Sequence, residues 1–374
     1  MTAFMDDQAV AARVLRHIDD QSTDRGEEVW REPVAHYTSP ERLNDEVCLL
    51  RRSTIPFCPS VALPEPGSYL ARNAGGRSLI AVRGRDGEVR VFRNACRHRG
   101  TELANGSGCA KALVCPYHGW SYRLDGRLRH IPHEDGFPGL DKEMHGLVPV
   151  ASEERLGLLF VTQEGSLSPT APWQGLDGLI APEQQLLKSD ETTINVNWKV
   201  ILEGFLEGYH IRSTHKETFY PYGFDNLNVV ERSGRNSRVT YPFRRIAKLA
   251  EVPPEHRAID GLVTYVYHLF PNALVAVLSR HTNVLILEPV AVDRTRLFRY
   301  SLTHGSESGS AERAARDAEF VNDSGLVEDL AMVSAIQRSV GSGANEFFTF
   351  GHFESAIIHF HRNLKAALEH TQQG

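Results

Sequence analysis

The stretch CRHRGTELANGSGCAKALVCPYHGW, Cys96 to Trp120, places two pairs of metal-binding side chains inside a segment of short extended runs. Cys96-x-His98 and Cys115-x-x-His118 each offer one sulfur and one nitrogen, with sixteen residues between the pairs. A zinc finger usually groups its cysteines in one knuckle and its histidines in the other, whereas here the types are interleaved. Interleaving suits a [2Fe-2S] cluster between two symmetric loops, with both thiolates on one iron and both imidazoles on the other. Gly100 and Gly119 leave the backbone free to wrap such a group. A zinc site, or four unrelated buried polar residues, are the competing readings. Cys48, Cys58 and Cys109 read as small core residues rather than ligands.

Around these knuckles, residues 55–165 have the pattern of a small antiparallel β domain. SLIAVRG, EVRVFRN, KALVCPYHGWSYRL and LGLLFVTQ are separated by turn signals such as GRDGE and LDGR. Residues 1–54 are expected to form a helical segment packed on the α+β domain of residues 166–374. LSPTAPWQGLDGLIAPEQQ reads as a connection, and residues 166–374 as an α+β domain. There, the strand-like runs VTYPF, LVTYVYHLFP, ALVAVLSRHTNVLILEPV and TRLFRYSLTHG mix with helical patterns near 198–214, 311–342 and 355–370.

A chain of 374 residues with 41% hydrophobic content can bury a substantial core. Its 41 basic and 47 acidic side chains give a formal charge of −6, too mild to imply a nucleic-acid or membrane partner. No apolar run is long enough to span a bilayer, and MTAFMDDQAVAARVLRHIDDQ lacks a signal-peptide core, so a cytoplasmic setting is expected. Five cysteines are too few and odd in number for a disulfide framework.

The α+β domain opens with a second cluster, NWKVILEGFLEGYHIRSTHKE, Asn197 to Glu217. Read as a helix from Trp198, it puts Glu203, Glu207 and His210 on one stripe. His215 does not share that stripe, because five helical residues turn through about 500°. Both rings reach one point only if the helix bulges or ends between them. Two histidines need a carboxylate to complete a 2-His-1-carboxylate triad with open positions on Fe(II). In NDSGLVEDLAMVSAIQRSVG the wheel gives Leu326, Leu330, Val333, Ile336 and Val340 as an apolar face. Asp329 falls inside that face and Glu328 on the polar side. An uncompensated acid facing a core is costly, so Asp329 is the candidate ligand. A buried salt bridge, or a capping role shared among Asp323 and Glu328, is the alternative.

CRHRG and CPYHGW, followed by NWK and EGFLEGYH-x4-H, resemble the α subunit of a Rieske non-heme iron oxygenase of the ring-hydroxylating family. The similarity covers most of the chain and keeps the family's order. It implies a Rieske β domain followed by a catalytic domain with a helix-grip type antiparallel sheet. Cys96, His98, Cys115 and His118 would then hold the cluster, with His210, His215 and Asp329 holding the mononuclear Fe(II). Glu207 matches the place of an acid that bridges a Rieske histidine of one subunit to an iron histidine of the next, fixing both tautomers. That role demands a cyclic oligomer, with a trimer expected and an α3β3 particle with a small subunit as a variant. The family more often has Asp there. Some relatives that oxidise carnitine-like quaternary amines share the Glu.

The resemblance further implies that NADH or NADPH electrons arrive through a separate ferredoxin or flavin reductase. They would cross by His118, Glu207 and His210, and O2 would be used to hydroxylate, dioxygenate or demethylate a small aromatic or quaternary-amine-like substrate. No GxGxxG follows a strand, so the electron supply must be a partner. Arg97 and Arg99 flank the cluster ligands as a docking candidate or as ordinary surface charge. Phe205, Leu206, Leu278 and His281 are candidate pocket residues. Phe219, Tyr220, Tyr222 and Phe224 would enclose a ring or a trimethylammonium group, or simply pack as core. Glu203 would tune the site, relay protons or be a plain helix glutamate; Tyr209 reads as core packing. The contrasting hypothesis is a zinc protein with a structural Cys2His2 site and a hydrolytic His/His/Asp site.

Overall fold

The computed structural model describes residues 3–167, 176, 179–303, 310–321 and 325–372, and divides into a unit of residues 50–168 and a unit of residues 1–49 with 169–374. In the first unit the expected strands form a seven-stranded antiparallel sheet. Its order is Ile55–Pro59, Leu158–Thr162, Pro149–Arg155, Val89–Arg93, Arg77–Arg83, Ser68–Ala74, Gly106–Cys109. The Asp86-Gly87 turn, with Gly87 at φ +85°, returns the chain between two of these strands. A smaller sheet of Leu113–Val114, Ser121–Tyr122 and Leu128–His130 carries the second knuckle. Ile80, Val82, Phe92, Trp120, Tyr122 and Leu128 share one core. Cys58 is buried as expected, but Cys109 is exposed on the last strand of the sheet.

Gly126 fills a turn that no other residue suits: its φ is +86°, and an added Cβ would lie 2.5 Å from the Phe92 ring. Gly126→Ala is expected to lower the stability of this unit by at least about 1–3 kcal/mol, through overpacking on top of backbone strain. A thermal melt showing no loss would contradict this account.

The second unit is built on another seven-stranded antiparallel sheet. It runs Leu186–Ile194, Arg294–Thr303, His281–Ala291, Ala273–Val277, Val263–Leu269, Asn236–Pro242, Val229–Ser233. ALVAVLSRHTNVLILEPV supplies two of these strands, because Leu278 turns back with its N–H on the His281 carbonyl (2.9 Å). The Ser355–Gln372 helix buries Ile357, Phe360, Leu364 and Leu368 at helical spacing. It packs on the strands Val229–Ser233 and Asn236–Pro242. The Asp7–Asp19 helix packs on Val229–Ser233 and on the 3-10 segment Arg244–Glu251. Trp30–Pro33 pairs with Phe347–Phe350, a contact that no local pattern announces.

Two expected helices are broken. The pattern over 198–214 becomes helices Trp198–Glu203 and Ile211–Thr214 with a turn between them. There Tyr241 donates its hydroxyl to the carbonyls of Phe205 (2.8 Å) and Glu207 (3.2 Å), which are thereby taken out of helical pairing. A Cβ on Gly208 would meet Asn228 Oδ1 at 2.4 Å, so only glycine allows the turn to pack so closely. The pattern over 311–342 becomes helices Ser310–Phe320 and Leu326–Ser339, and Asp323 lies outside the described residues. Of the expected apolar face, Val333 and Val340 are buried, Leu326 and Leu330 half-buried, and Ile336 is 40% exposed. Among the described residues, no helix is long and apolar enough to cross a membrane.

Candidate metal centres and cavity

In each knuckle of the first unit, the cysteine carbonyl accepts the N–H of the glycine four residues on: Gly100 to Cys96 (2.9 Å) and Gly119 to Cys115 (3.0 Å). Both glycines have positive φ, +80° and +72°. These equivalent turns set the His98 and His118 rings 4.7 Å apart, with His98 stacked on Trp120 at 4.9 Å. Cys96 Sγ lies 3.2 Å from the Tyr122 hydroxyl. Burial pushes the Cys96 thiol up, against the lowering effect of that hydroxyl. Nδ1 of His98 is buried and has no hydrogen-bond partner. A buried ring nitrogen without a partner, beside two buried sulfurs and a second imidazole, is what a cluster would satisfy. Arg97 and Arg99 are exposed beside it, Arg99 resting over the Tyr117 ring.

The second unit brings His210, His215 and Asp329 together, with one donor atom of each within 4.8 Å of the others. The short helix answers the spacing problem: His210 caps its start and His215 its end, so a single turn presents both rings to one side. Nε2 of His215 lies 2.9 Å and Nε2 of His210 3.5 Å from Asp329 Oδ1. The other ring nitrogens face carboxylates. His210 Nδ1 bonds Glu207, and His215 Nδ1–H donates to Glu328 Oε2 (2.8 Å), which also accepts from the Thr218 hydroxyl (2.6 Å). Glu328 therefore does not point to the polar side as the wheel predicts. The wheel places a residue around its own axis and is blind to a neighbouring segment that offers a donor.

Burial alone would depress His210, but Asp329 and Glu207 hold its pKa at about 10. Asp329, despite burial, is held below the ordinary carboxylate range by the two rings. The three ligand atoms thus share a proton in the absence of metal, and a divalent cation would take its place. Two imidazoles and one carboxylate, each imidazole with its second nitrogen fixed, fit an iron site with open positions.

A cavity of about 660 Å³ opens on this cluster. Phe205, Leu278, Phe219, Tyr222, Phe224 and Asp317 are among its lining residues. Two candidate pocket residues are not on its wall. Leu206 is packed in the core, and His281 is fully buried, joined to Asp317 Oδ2 (2.9 Å) and to Asn283 (3.2 Å). Tyr220 is also off the wall, and Tyr209 is 60% exposed against Phe353 rather than core. Glu203 is buried and accepts from Tyr37 and His361. Sequence reasoning misplaces Glu328 and passes over Asp317 and Tyr241, because each acts through a distant segment.

Residues 183–370 match the family model of the ring hydroxylating alpha subunit (catalytic domain), and residues 53–147 that of the Rieske [2Fe-2S] domain. The chain is 29% identical over 360 residues to the carnitine monooxygenase oxygenase subunit of Escherichia coli (strain K12), covering 90% of this chain and 94% of that one. It is 36% identical over 165 residues to the glycine betaine monooxygenase oxygenase subunit of Chromohalobacter salexigens, covering 41% of this chain and 36% of that one. A crystal structure of a quaternary ammonium Rieske monooxygenase in complex with L-carnitine superposes with a TM-score of 0.77 at 22% identity, covering 98% of this chain and 99% of that one. The match to the Rieske model sets aside the zinc hypothesis.

Proposed function

We propose, from the premise that this chain belongs to the ring-hydroxylating alpha-subunit family of Rieske oxygenases, that it is the terminal oxygenase for a small substrate with a quaternary ammonium group. The observation that carries the site assignment is the convergence of His210, His215 and Asp329 on the 660 Å³ cavity. When bound, the two metal centres supply electron storage and reductive activation of O2, so that R–H + O2 + 2e⁻ + 2H⁺ gives R–OH + H2O. Cys96, His98, Cys115 and His118 hold the cluster; His210, His215 and Asp329 hold the iron. Glu207 and Glu328 orient the two iron-binding rings through their Nδ1 atoms.

Phe219, Tyr222, Phe224 and Phe320 offer ring faces for a trimethylammonium head, and Asp317 offers a countercharge. Arg244 and Arg245 on the same wall suit an anionic end of the substrate. The carnitine and glycine betaine monooxygenase relatives support this substrate class. Electrons come from a separate reductase in the cytoplasm. Glu207 serves as the bridge to a Rieske histidine of a neighbouring chain in a homotrimer.

The test is an anaerobic absorption and EPR spectrum before and after dithionite, with iron and zinc counts, followed by substrate-dependent O2 uptake with a reductase. The expected protein is brown, gives a Rieske signal on reduction, and holds about three irons per chain. Uptake is expected with trimethylammonium acids and not with arenes. A colourless, zinc-loaded protein overturns the oxygenase assignment; coupling to arenes alone overturns the substrate class.

A further inference from the structure

Oxygen insertion by the stoichiometry above draws two protons per turnover into a cavity walled mostly by apolar groups. Water is one source. The structure contains another, in a line of titratable side chains from three separate stretches of the chain. His36, with a side chain 36% exposed, bonds Glu32 Oε1 through Nδ1 (2.6 Å). Glu32 is buried, and its Oε2 lies 3.5 Å from Nδ1 of the fully buried His361. That nitrogen has no hydrogen-bond partner, so the 3.5 Å step is an ion-pair separation that a small side-chain rotation would close. On the far side of the ring, Nε2–H of His361 donates to Glu203 Oε1 (2.9 Å), which also accepts the Tyr37 hydroxyl (2.7 Å).

Glu203 lies in the wall of a second cavity of about 390 Å³, lined also by Glu207, His210 and Asp329. The line therefore begins at solvent and ends beside the metal-binding cluster. Core packing does not require it. Two buried acids and a buried imidazole cost desolvation that apolar residues would avoid.

We infer that His36, Glu32, His361 and Glu203 form a proton relay from solvent to the oxygen-reacting cavity. This rests on the oxygenase reading above. One proton enters at His36, passes to Glu32 and then to Nδ1 of His361, while the proton on Nε2 moves to Glu203 and on into the cavity. No electron moves. The ring is left with its proton on Nδ1 and turns back before the next transfer.

The charges around each member are consistent with this. Burial would raise Glu32, but His361, His36 and Trp30 hold its carboxyl below the usual range, so it remains an acceptor between two rings. Glu354, on the wall of the same cavity, is raised to about 6 by burial and by the charges of Glu207 and Glu203. The other groups facing the line are Tyr37, raised by burial and by Glu203, and the Glu46 carboxylate that also raises it, itself paired with Lys199 (2.8 Å). Phe350 and Phe360 pack on the His361 ring and exclude water from it.

Glu203→Gln keeps shape and hydrogen bonding but cannot pass a proton. With reductase, NAD(P)H and O2, its turnover is expected to fall about 100-fold and its solvent deuterium isotope effect to rise, with iron content and Rieske spectrum unchanged. Hydrogen peroxide in place of O2 and electrons balances without added protons, as R–H + H2O2 gives R–OH + H2O. In that assay the variant should match the wild type, and His361→Asn should repeat the pattern. Equal losses in both assays overturn the relay, because a distorted cavity fails both. A wild-type protein that hydroxylates in neither assay overturns the oxygenase reading, and the relay with it. In metal-free protein, ¹⁵N-histidine NMR should show Glu32→Gln shifting the ring-nitrogen resonances of both His36 and His361. A change confined to His36 makes the 3.5 Å separation a true break and overturns the proposal.

Discussion

Asp329→Ala is expected to lose the mononuclear iron while the reduced Rieske spectrum stays as in the wild type. The remaining His210 and His215 are two neutral ligands on one turn, a weak site for a divalent cation once the anionic oxygen 2.9 Å from His215 is gone. Loss of a group that only orients a ligand costs about 10–100-fold in metal affinity, so removing the carboxylate itself should exceed that range. Iron analysis after gel filtration reads it directly. Iron retained at one per chain beyond the cluster would move the third ligand elsewhere, with Glu328 the first candidate. The same carboxylate, together with Glu207, sets the pH dependence of loading. In metal-free protein His210 is raised to about 10, so at neutral pH the site carries a proton that a metal must displace. Metal affinity should therefore rise with pH up to about 10, and calorimetry in two buffers of different ionisation heat should detect the released proton.

Glu207→Gln is expected to keep both metals yet stop substrate-coupled turnover, with a fall of about 100-fold. Its amide oxygen still accepts Nδ1–H of His210, so the ring stays in place. What is lost is the anion that, in the proposed bridge, bonds two imidazoles at once. Rapid-freeze EPR of the pre-reduced variant mixed with O2 and substrate should find the cluster still reduced. Normal turnover would defeat the bridge role, and loss of iron would make Glu207 a support of the metal site alone.

What could be read in the sequence follows the range over which each signal acts. The Rieske knuckles are legible because all four donors and both glycines lie between Cys96 and Gly119. The strands of both sheets show themselves through local alternation and turn residues. Asp329 is legible as an acid misplaced on an apolar stripe. The pattern fails where a distant group decides. A straight helix through Glu203, Glu207 and His210 is the local preference, and Tyr241 and Asn228 override it. Leu206 looks like a pocket residue from its neighbours but is drawn into the core by the broken turn. Glu328 and His361 each find their partners more than a hundred residues away, at His215 and at Glu32 and Glu203. No periodicity reports such a meeting.

The hairpin and helix that enclose the large cavity come from chain segments other than the turn carrying His210 and His215. Leu278 sits on the Ala273–His281 reversal, and Asp317 and Phe320 on the Ser310–Phe320 helix. The spacing of the two rings, by contrast, is set by one four-residue helix that tolerates no insertion. Reshaping what the protein accepts and retuning how it holds iron are therefore separable engineering problems. Libraries confined to Leu278, Asp317 and Phe320 should yield variants of altered substrate preference with undiminished iron content.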